Sequence, residues 1–250
     1  KDTCVRCHSY WSQDESEYQV DAIQNYIRGK MRKADVWLTP MISRDLKDFG
    51  GDDLDARFLR GGLPPLFLQP EVIERSFQEW LDAFWSKDIL ALFRLERRSS
   101  FRRFAELLFS QSGGIFEASR FAAPCEVSRT TIANYLAVLE ATYIVQLVRP
   151  WTTRRASEIV SSPKVYGFDT GFVCAFRGIA ELRSDDRGSL WEHYVLNELQ
   201  ARLQHRSIHY WRDKRGHEVD FVLAPRRRAP MVIECKWSPD TFDPAGVLAF

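Results

Sequence analysis

The chain has 250 residues, 45% hydrophobic and 28% charged, enough for one large or two modest domains around a real core, which excludes a disordered tail or a disulfide-stapled mini-domain. No apolar run approaches the roughly 18 residues that cross a bilayer. The five cysteines (Cys4, Cys7, Cys125, Cys174, Cys235) are odd in number and scattered, so reduced thiols, a cytoplasmic location and no membrane partner are expected. The formal net charge of +1 hides an uneven distribution: −4 over residues 1–90 and +5 over residues 91–155, where all ten cations are arginine. Arginine makes forked contacts with phosphate oxygens, so this middle stretch is the part expected to face a polyanion, unless it is simply a solvated helix surface.

Lys1 to Asp35 has mixed polarity and predicts at most a short helix around Val20 to Ile27. Cys4-x-x-Cys7 followed by His8 could begin a zinc site, but no second Cys or His pair stands at a suitable spacing, and no metal is assigned to it. Between Val36 and Pro70, Gly50-Gly51, Gly61-Gly62 and Pro64-Pro65 break the chain into brief helices, as in a connector. From Pro70 to Arg98, Phe77, Trp80, Leu81 and Phe84 fall at helical spacing, and a second apolar run follows through Ile89, Leu90, Leu92 and Phe93.

Ser99 or Ser100 is expected to cap a helix through Phe101, Phe104, Leu107 and Leu108, which Gly113-Gly114 stops. Ala118 to Ala123 predicts a short helix, Pro124 a turn, and Ser128 the cap of a further helix with Ile132, Tyr135, Leu136 and Leu139 inward. Tyr143 to Trp151 alternates as a strand, and Lys164 to Asp169 suits its partner. Helix, short helix, turn, helix and hairpin is the order of a winged helix-turn-helix. Its second helix would present Arg129, Thr130, Thr131 and Asn134 to DNA phosphates or base edges, or else serve only for packing.

In the last third, Ser189 is expected to cap a helix whose stripe of Leu196, Leu199 and Leu203 continues back to Glu192. A carboxylate in that line must be paired or bound to a cation, because an unpaired buried charge costs several kcal/mol. Glu198 lies off the stripe and is expected in solvent. Val219 to Leu223 and Met231 to Trp237 read as a hairpin around the basic turn Arg226 to Arg228. Alternation puts Val232, Glu234 and Lys236 on one face, with Cys235 on the other, and pairing brings Asp220 beside Glu234. Glu192, Asp220 and Glu234 together would make an oxygen-ligand set for Mg²⁺ or Mn²⁺, with Lys236 placed to orient a water or stabilise phosphoryl charge. Taken singly, Glu234 and Lys236 also suit a surface salt bridge, and Asp220 a turn. His217 could shuttle protons but suits a solvated turn better, and base stacking by Trp211 has no support in the pattern.

The runs G-x-L-W-E-x-x-V-x-x-E-L from Gly188, W-R-D-K-R-G-H-E-V-D-F-V-L from Trp211 and I-E-C-K from Ile233, with F-L-R-G-G-L-P at Phe58 to Pro64, resemble DUF4143. That is the PD-(D/E)XK nuclease-like domain found at the C-terminus of many prokaryotic AAA+ ATPases. The resemblance spans about Val36 to Ser238. It implies an α/β protein in which a helical winged helix-turn-helix segment precedes a restriction-endonuclease-like core. By resemblance, Asp220, Glu234 and Lys236 match the nuclease motif and Glu192 its helical acid. The implied division is residues 1–69 as ATPase remnant and connector, 70–163 as winged-helix segment and 164–250 as nuclease-like domain. No G-x-x-x-x-G-K-[ST] run exists, and Arg28 to Lys33 does not supply one, so ATP would be bound only by an upstream domain of a longer protein. The chain opens on Lys1 without an initiator Met or signal-peptide pattern, consistent with such a piece. The expected function is metal-dependent DNA cleavage, the alternative a non-catalytic DNA-binding or assembly module that regulates the upstream ATPase, with oligomerisation possible in either case.

Overall fold

The computed structural model describes residues 39–48, 53–69, 74–89, 97–152, 162–204, 207–225 and 229–250, without the side chains of Lys87 and Asp88. The expected helix at Val20 to Ile27, the Cys4-x-x-Cys7-His8 motif, the run through Leu92 and Phe93 and the turn Arg226 to Arg228 lie outside these residues.

Among the described residues, ten α-helices and six strands follow in order: α1 (Ser43–Asp48), α2 (Leu54–Arg60), α3 (Pro64–Phe67), α4 (Glu74–Phe84), α5 (Arg98–Ser110), β1 (Gly114–Ile115), α6 (Ala118–Ala122), α7 (Arg129–Ala141), β2 (Val145–Pro150), β3 (Lys164–Gly167), α8 (Thr170–Arg177), α9 (Ser184–Leu203), β4 (Ile208–Arg212), β5 (Glu218–Leu223), β6 (Met231–Ile233) and α10 (Ala245–Ala249). The expected mixed α/β architecture is present. Helix α4 buries Phe77, Trp80, Leu81 and Phe84 at the predicted spacing. They join Phe101, Phe104 and Phe109 of α5, Ile132 and Leu139 of α7, and Phe172 of α8 in one aromatic-rich core. Each such side chain contributes on the order of 1.5–3 kcal/mol by leaving water. Phe58, on α2, belongs to the same core, so the stretch read as a connector is part of the folded body.

The strands form one sheet in the order β1-β3-β2-β4-β5-β6. β2 and β3 pair antiparallel, Val145 opposite Gly167 and Val148 opposite Lys164, as the alternation predicts. The expected boundary at 163/164 thus falls between hydrogen-bonded neighbours. β2 also pairs in parallel with β4, Arg149 opposite His209, so this hairpin lies inside a larger sheet. Against the sheet, Leu196 of α9 packs with Val148, Tyr166, Ile208, Tyr210 and Phe221 in a second core.

Three expected boundaries are corrected. α5 begins at Arg98 with Arg97 at its cap position and no side-chain cap, so Ser99 and Ser100 sit in its first turn. α9 begins five residues before Ser189: a polar first turn precedes the apolar stripe, and the Asp186 carboxylate accepts from the Arg183 N–H at 3.0 Å. The last strand ends at Ile233 instead of continuing to Trp237. Ser128 caps α7 as expected, its hydroxyl accepting from the Thr131 N–H at 3.1 Å.

Candidate functional site

The β5–β6 register, Phe221 opposite Ile233, would place Asp220 opposite Glu234 if the ladder continued. It stops there because the Asp220 side chain takes over as acceptor: Cys235 N–H donates to Asp220 Oδ2 at 2.8 Å. This bond fixes the segment after β6, where Lys236 Nζ donates to Glu234 Oε1 at 2.6 Å. Glu234 Oε2 is enclosed and accepts no hydrogen bond among the described residues. From α9, Glu192 reaches the same place and accepts from Tyr166 Oη and, at 3.1 Å, from Lys164 Nζ. Glu192, Asp220, Glu234 and Lys236 therefore lie in one neighbourhood.

Three participants were not foreseen: Lys164, Tyr166 and Glu218. Lys164 and Tyr166 alternate along β3 onto one face, a signal visible only once that strand's place in the sheet is known. The Lys164 ammonium sits 2.5 Å from Glu218 Oε1, 3.1 Å from Glu192 Oε1 and 3.8 Å from Asp220 Oδ1, with its side chain 6% exposed. Burial would lower the Lys164 pKa, but Glu192 and Glu218 outweigh it and hold the amine charged, above its ordinary range. Burial first, then the Glu192 charge, pushes Asp220 up to about 7, against the Cys235 N–H and Lys164. Burial also raises the Tyr166 hydroxyl and the Cys235 thiol, so both stay protonated.

The donor set, carboxylate oxygens with one enclosed lone acceptor, has the chemistry of a hard divalent cation site. Among the described residues, however, no three His, Cys, Asp or Glu side chains stand close enough to hold one ion, and an ammonium lies among the acids instead. Beside the cluster opens a cleft of about 690 Å³ whose lining includes Lys164, Glu192, Arg212, Glu218, Arg120 and the backbone of Gly113–Gly114.

The predicted DNA-facing residues fall on α7, with Arg129, Thr130 and Asn134 exposed and Thr131 half-buried. The Thr131 hydroxyl is bonded to Ser128 Oγ at 2.9 Å. Much of the arginine excess nearby is matched by carboxylates: Arg102 with Asp82 and Glu106, Arg120 with Glu117, Arg149 with Glu140. His217 closes its own turn, its Nδ1 2.8 Å from Asp213 Oδ2, and Trp211 packs edge-on against Phe250. Glu198, expected in solvent, is corrected: its side chain is 15% exposed and accepts from Ser43 N–H at 2.5 Å and Arg202 Nε at 2.9 Å, because α1 folds back onto α9. Burial alone would raise its pKa, but those bonds hold it below its ordinary value.

The F-L-R-G-G-L-P run also acquires a structural reason. Arg57, fully buried, donates to Met41 O at 2.8 Å and Thr170 Oγ1 at 2.7 Å and lies 3.7 Å from Asp169. Asp169 in turn accepts from Gly62 N–H at 2.6 Å and Gly171 N–H at 2.9 Å. A Cβ on Gly61, which has φ +76°, would lie 2.0 Å from Asp169 Oδ1.

A model of the family DUF8612, a domain of unknown function, matches residues 51–183, more than half of the chain. The chain belongs to the DUF8612 family. A second model, DUF4143, also a domain of unknown function, matches residues 187–245, so this DUF8612 protein carries the DUF4143 segment that the motifs from Gly188 onward suggest. Lys164 and Tyr166 come from the DUF8612 segment, and the acids and Lys236 from the DUF4143 segment. Among curated proteins the chain is similar to "Uncharacterized protein Rv2008c" of Mycobacterium tuberculosis and "Uncharacterized protein Mb2031c" of Mycobacterium bovis. Each is 29% identical over 196 residues, covering 75% of this chain and 44% of the relative. The DUF8612 chain thus spans less than half the length of these relatives. No solved structure matches it, and no helix among the described residues is long and apolar enough to cross a membrane.

Proposed function

We propose that the DUF4143 segment is a PD-(D/E)XK-like, Mg²⁺- or Mn²⁺-dependent nuclease site acting on DNA. The observation that carries this reading is the meeting of Glu192, Asp220, Glu234 and Lys236 from α9, β5 and the segment after β6. Glu192, Asp220 and Glu234 would hold the ion. When bound, it would acidify a water and steady charge on a phosphoryl oxygen. The chain's own residues do the rest. Asp220, anchored by the Cys235 N–H, fixes the segment carrying Glu234 and Lys236. Lys236, held by Glu234, offers an ammonium to a phosphate oxygen or the attacking water. The adjoining cleft, lined by Arg120 and Arg212 together with their partners Glu117 and Glu218, would receive the substrate. Arg129, Thr130, Thr131 and Asn134, at the start of α7, would hold the duplex through a winged-helix contact.

The greater length of the relatives supports a further part of this proposal, that the chain works beside an upstream AAA+ domain which alone binds ATP.

Lys164 favours a second reading, because an internal ammonium already balances the acids: a non-catalytic DNA-binding or assembly module on the same scaffold. The test is incubation of the purified chain with linear duplex and single-stranded DNA in MnCl₂, MgCl₂ or EDTA. Metal-dependent cleavage lost in Asp220→Asn and Lys236→Ala supports the hydrolytic site. DNA binding without cleavage in either metal overturns it in favour of the module.

A further inference from the structure

We propose that Lys164 is a built-in counter-ion that competes with a divalent cation for the oxygens of this site, so that loading the site requires the amine to leave. The proposal rests on the hydrolytic reading only for which cation is the competitor. Lys164 Nζ stands 2.5 Å from Glu218, 3.1 Å from Glu192 and 3.8 Å from Asp220. Two of these acids are the expected ligands, and the ammonium hydrogen-bonds Glu192 at 3.1 Å and faces Asp220 as an ion pair at 3.8 Å, both well outside the roughly 2.0–2.2 Å at which Mg²⁺ or Mn²⁺ binds oxygen. This accounts for the convergence of the acids without any three of them closing on one point. Like charges cannot share a small buried space at low cost, so metal and amine exclude one another.

The cleft gives a displaced amine room. Lys164 lines it together with Glu192, Arg212 and Glu218 but not Asp220, so the side chain would swing away from Asp220 into that space. There it would meet an anionic group of the substrate. Glu218, its nearest partner and not an expected ligand, sits on the cleft side and can keep hold of it. The amine belongs to the DUF8612 segment and the ligands to the DUF4143 segment, so the exchange links the two.

The test uses the full chain and Mn²⁺ itself. Calorimetric or electron-paramagnetic titration with MnCl₂ compares wild type with Lys164→Gln, which keeps polarity and removes the charge. Competition predicts at least tenfold tighter Mn²⁺ binding by Lys164→Gln and a lower metal-free melting temperature that Mn²⁺ restores. Equal affinities for the two proteins would overturn the competition while leaving the hydrolytic site standing; no Mn²⁺ uptake by either would remove both. Wild-type protein supplies a second reading should the variant fold poorly. Acetylation by a water-soluble ester, mapped by mass spectrometry, should modify Lys164 several-fold faster with Mn²⁺ than without. An unchanged rate in a protein that takes up Mn²⁺ refutes the displacement.

Discussion

Replacing Arg57 by Met should unfold the junction between α2, α8 and α9 more readily than any surface change. The Arg57 and Asp169 side chains are both 0% exposed, and burial outweighs their mutual attraction, lowering the pKa of the arginine and raising that of the acid. The pair as a whole is therefore a modest stabiliser, whereas removing the arginine leaves a buried carboxylate facing backbone N–H groups, those of Gly62, Gly171 and Phe172, with no cation beside it. Breaking a buried pair from one side costs about 3–5 kcal/mol. For a chain of this length that is a fall of roughly 6–20 °C in Tm. Urea titration of wild type, Arg57→Met, Asp169→Asn and the double variant gives the cycle. Arg57→Met should lose about 3–5 kcal/mol, and the double variant should cost at least ~1.5 kcal/mol less than the sum of the singles, because it leaves no charge uncompensated. A loss under about 1 kcal/mol in Arg57→Met, or strict additivity, would refute the account of this junction.

Gly61→Ala forces a Cβ into Asp169 at a left-handed backbone position; it should cost upwards of about 2 kcal/mol in the same titration, and a neutral result would show that the loop can move aside. Ser128→Ala removes the cap of α7 and should cost about 1 kcal/mol. Ser189→Ala, inside α9 and on its exposed side, should cost less than about half that, which chemical denaturation can resolve. His193, fully buried and donating from Nε2 to Gly167 O at 2.7 Å, has its pKa lowered to about 3 by burial. Since the folded value lies below the unfolded one, its contribution is complete above pH 6.5 and is lost as the pH falls toward 3. Asp220, raised to about 7, acts in the opposite sense, favouring the fold as pH drops from 7 toward 4. Denaturant midpoints at pH 4.5 and 7 should therefore show acid destabilisation growing in Asp220→Asn and shrinking in His193→Gln; a pH response identical in all three proteins contradicts both assignments.

Local chemistry was the most readable part of this sequence. The α7 cap at Ser128, the apolar spacing of α4 and the β2–β3 pair each depend on a few consecutive residues, and each stands as the pattern predicts. The start of α9 escaped because Ser184 to Gly188 is polar and offers no periodicity, its first turn being settled by Asp186. Glu192, Asp220 and Glu234 could be gathered because the helix stripe and the β5–β6 register constrain their backbone positions, whereas Lys236, past the end of β6, is brought in by its bond to Glu234. Lys164 and Glu218 could not, since nothing near them in sequence shows that β2 lies beside β4 and so brings β3 and β5 around the same acids. The Arg57–Asp169 pair escaped for the same reason, its members lying 112 positions apart.

That parallel seam, Arg149 beside His209 and Pro150 beside Tyr210, means that neither family-matched half owns a whole sheet. Split between residues 183 and 187, each piece would expose the raw main chain of a former interior strand, an invitation to self-association. A chimera grafting a relative's C-terminal half onto this N-terminal half would also have to match its acids to a lysine it did not bring. The two segments share one sheet and therefore need to be expressed and engineered together.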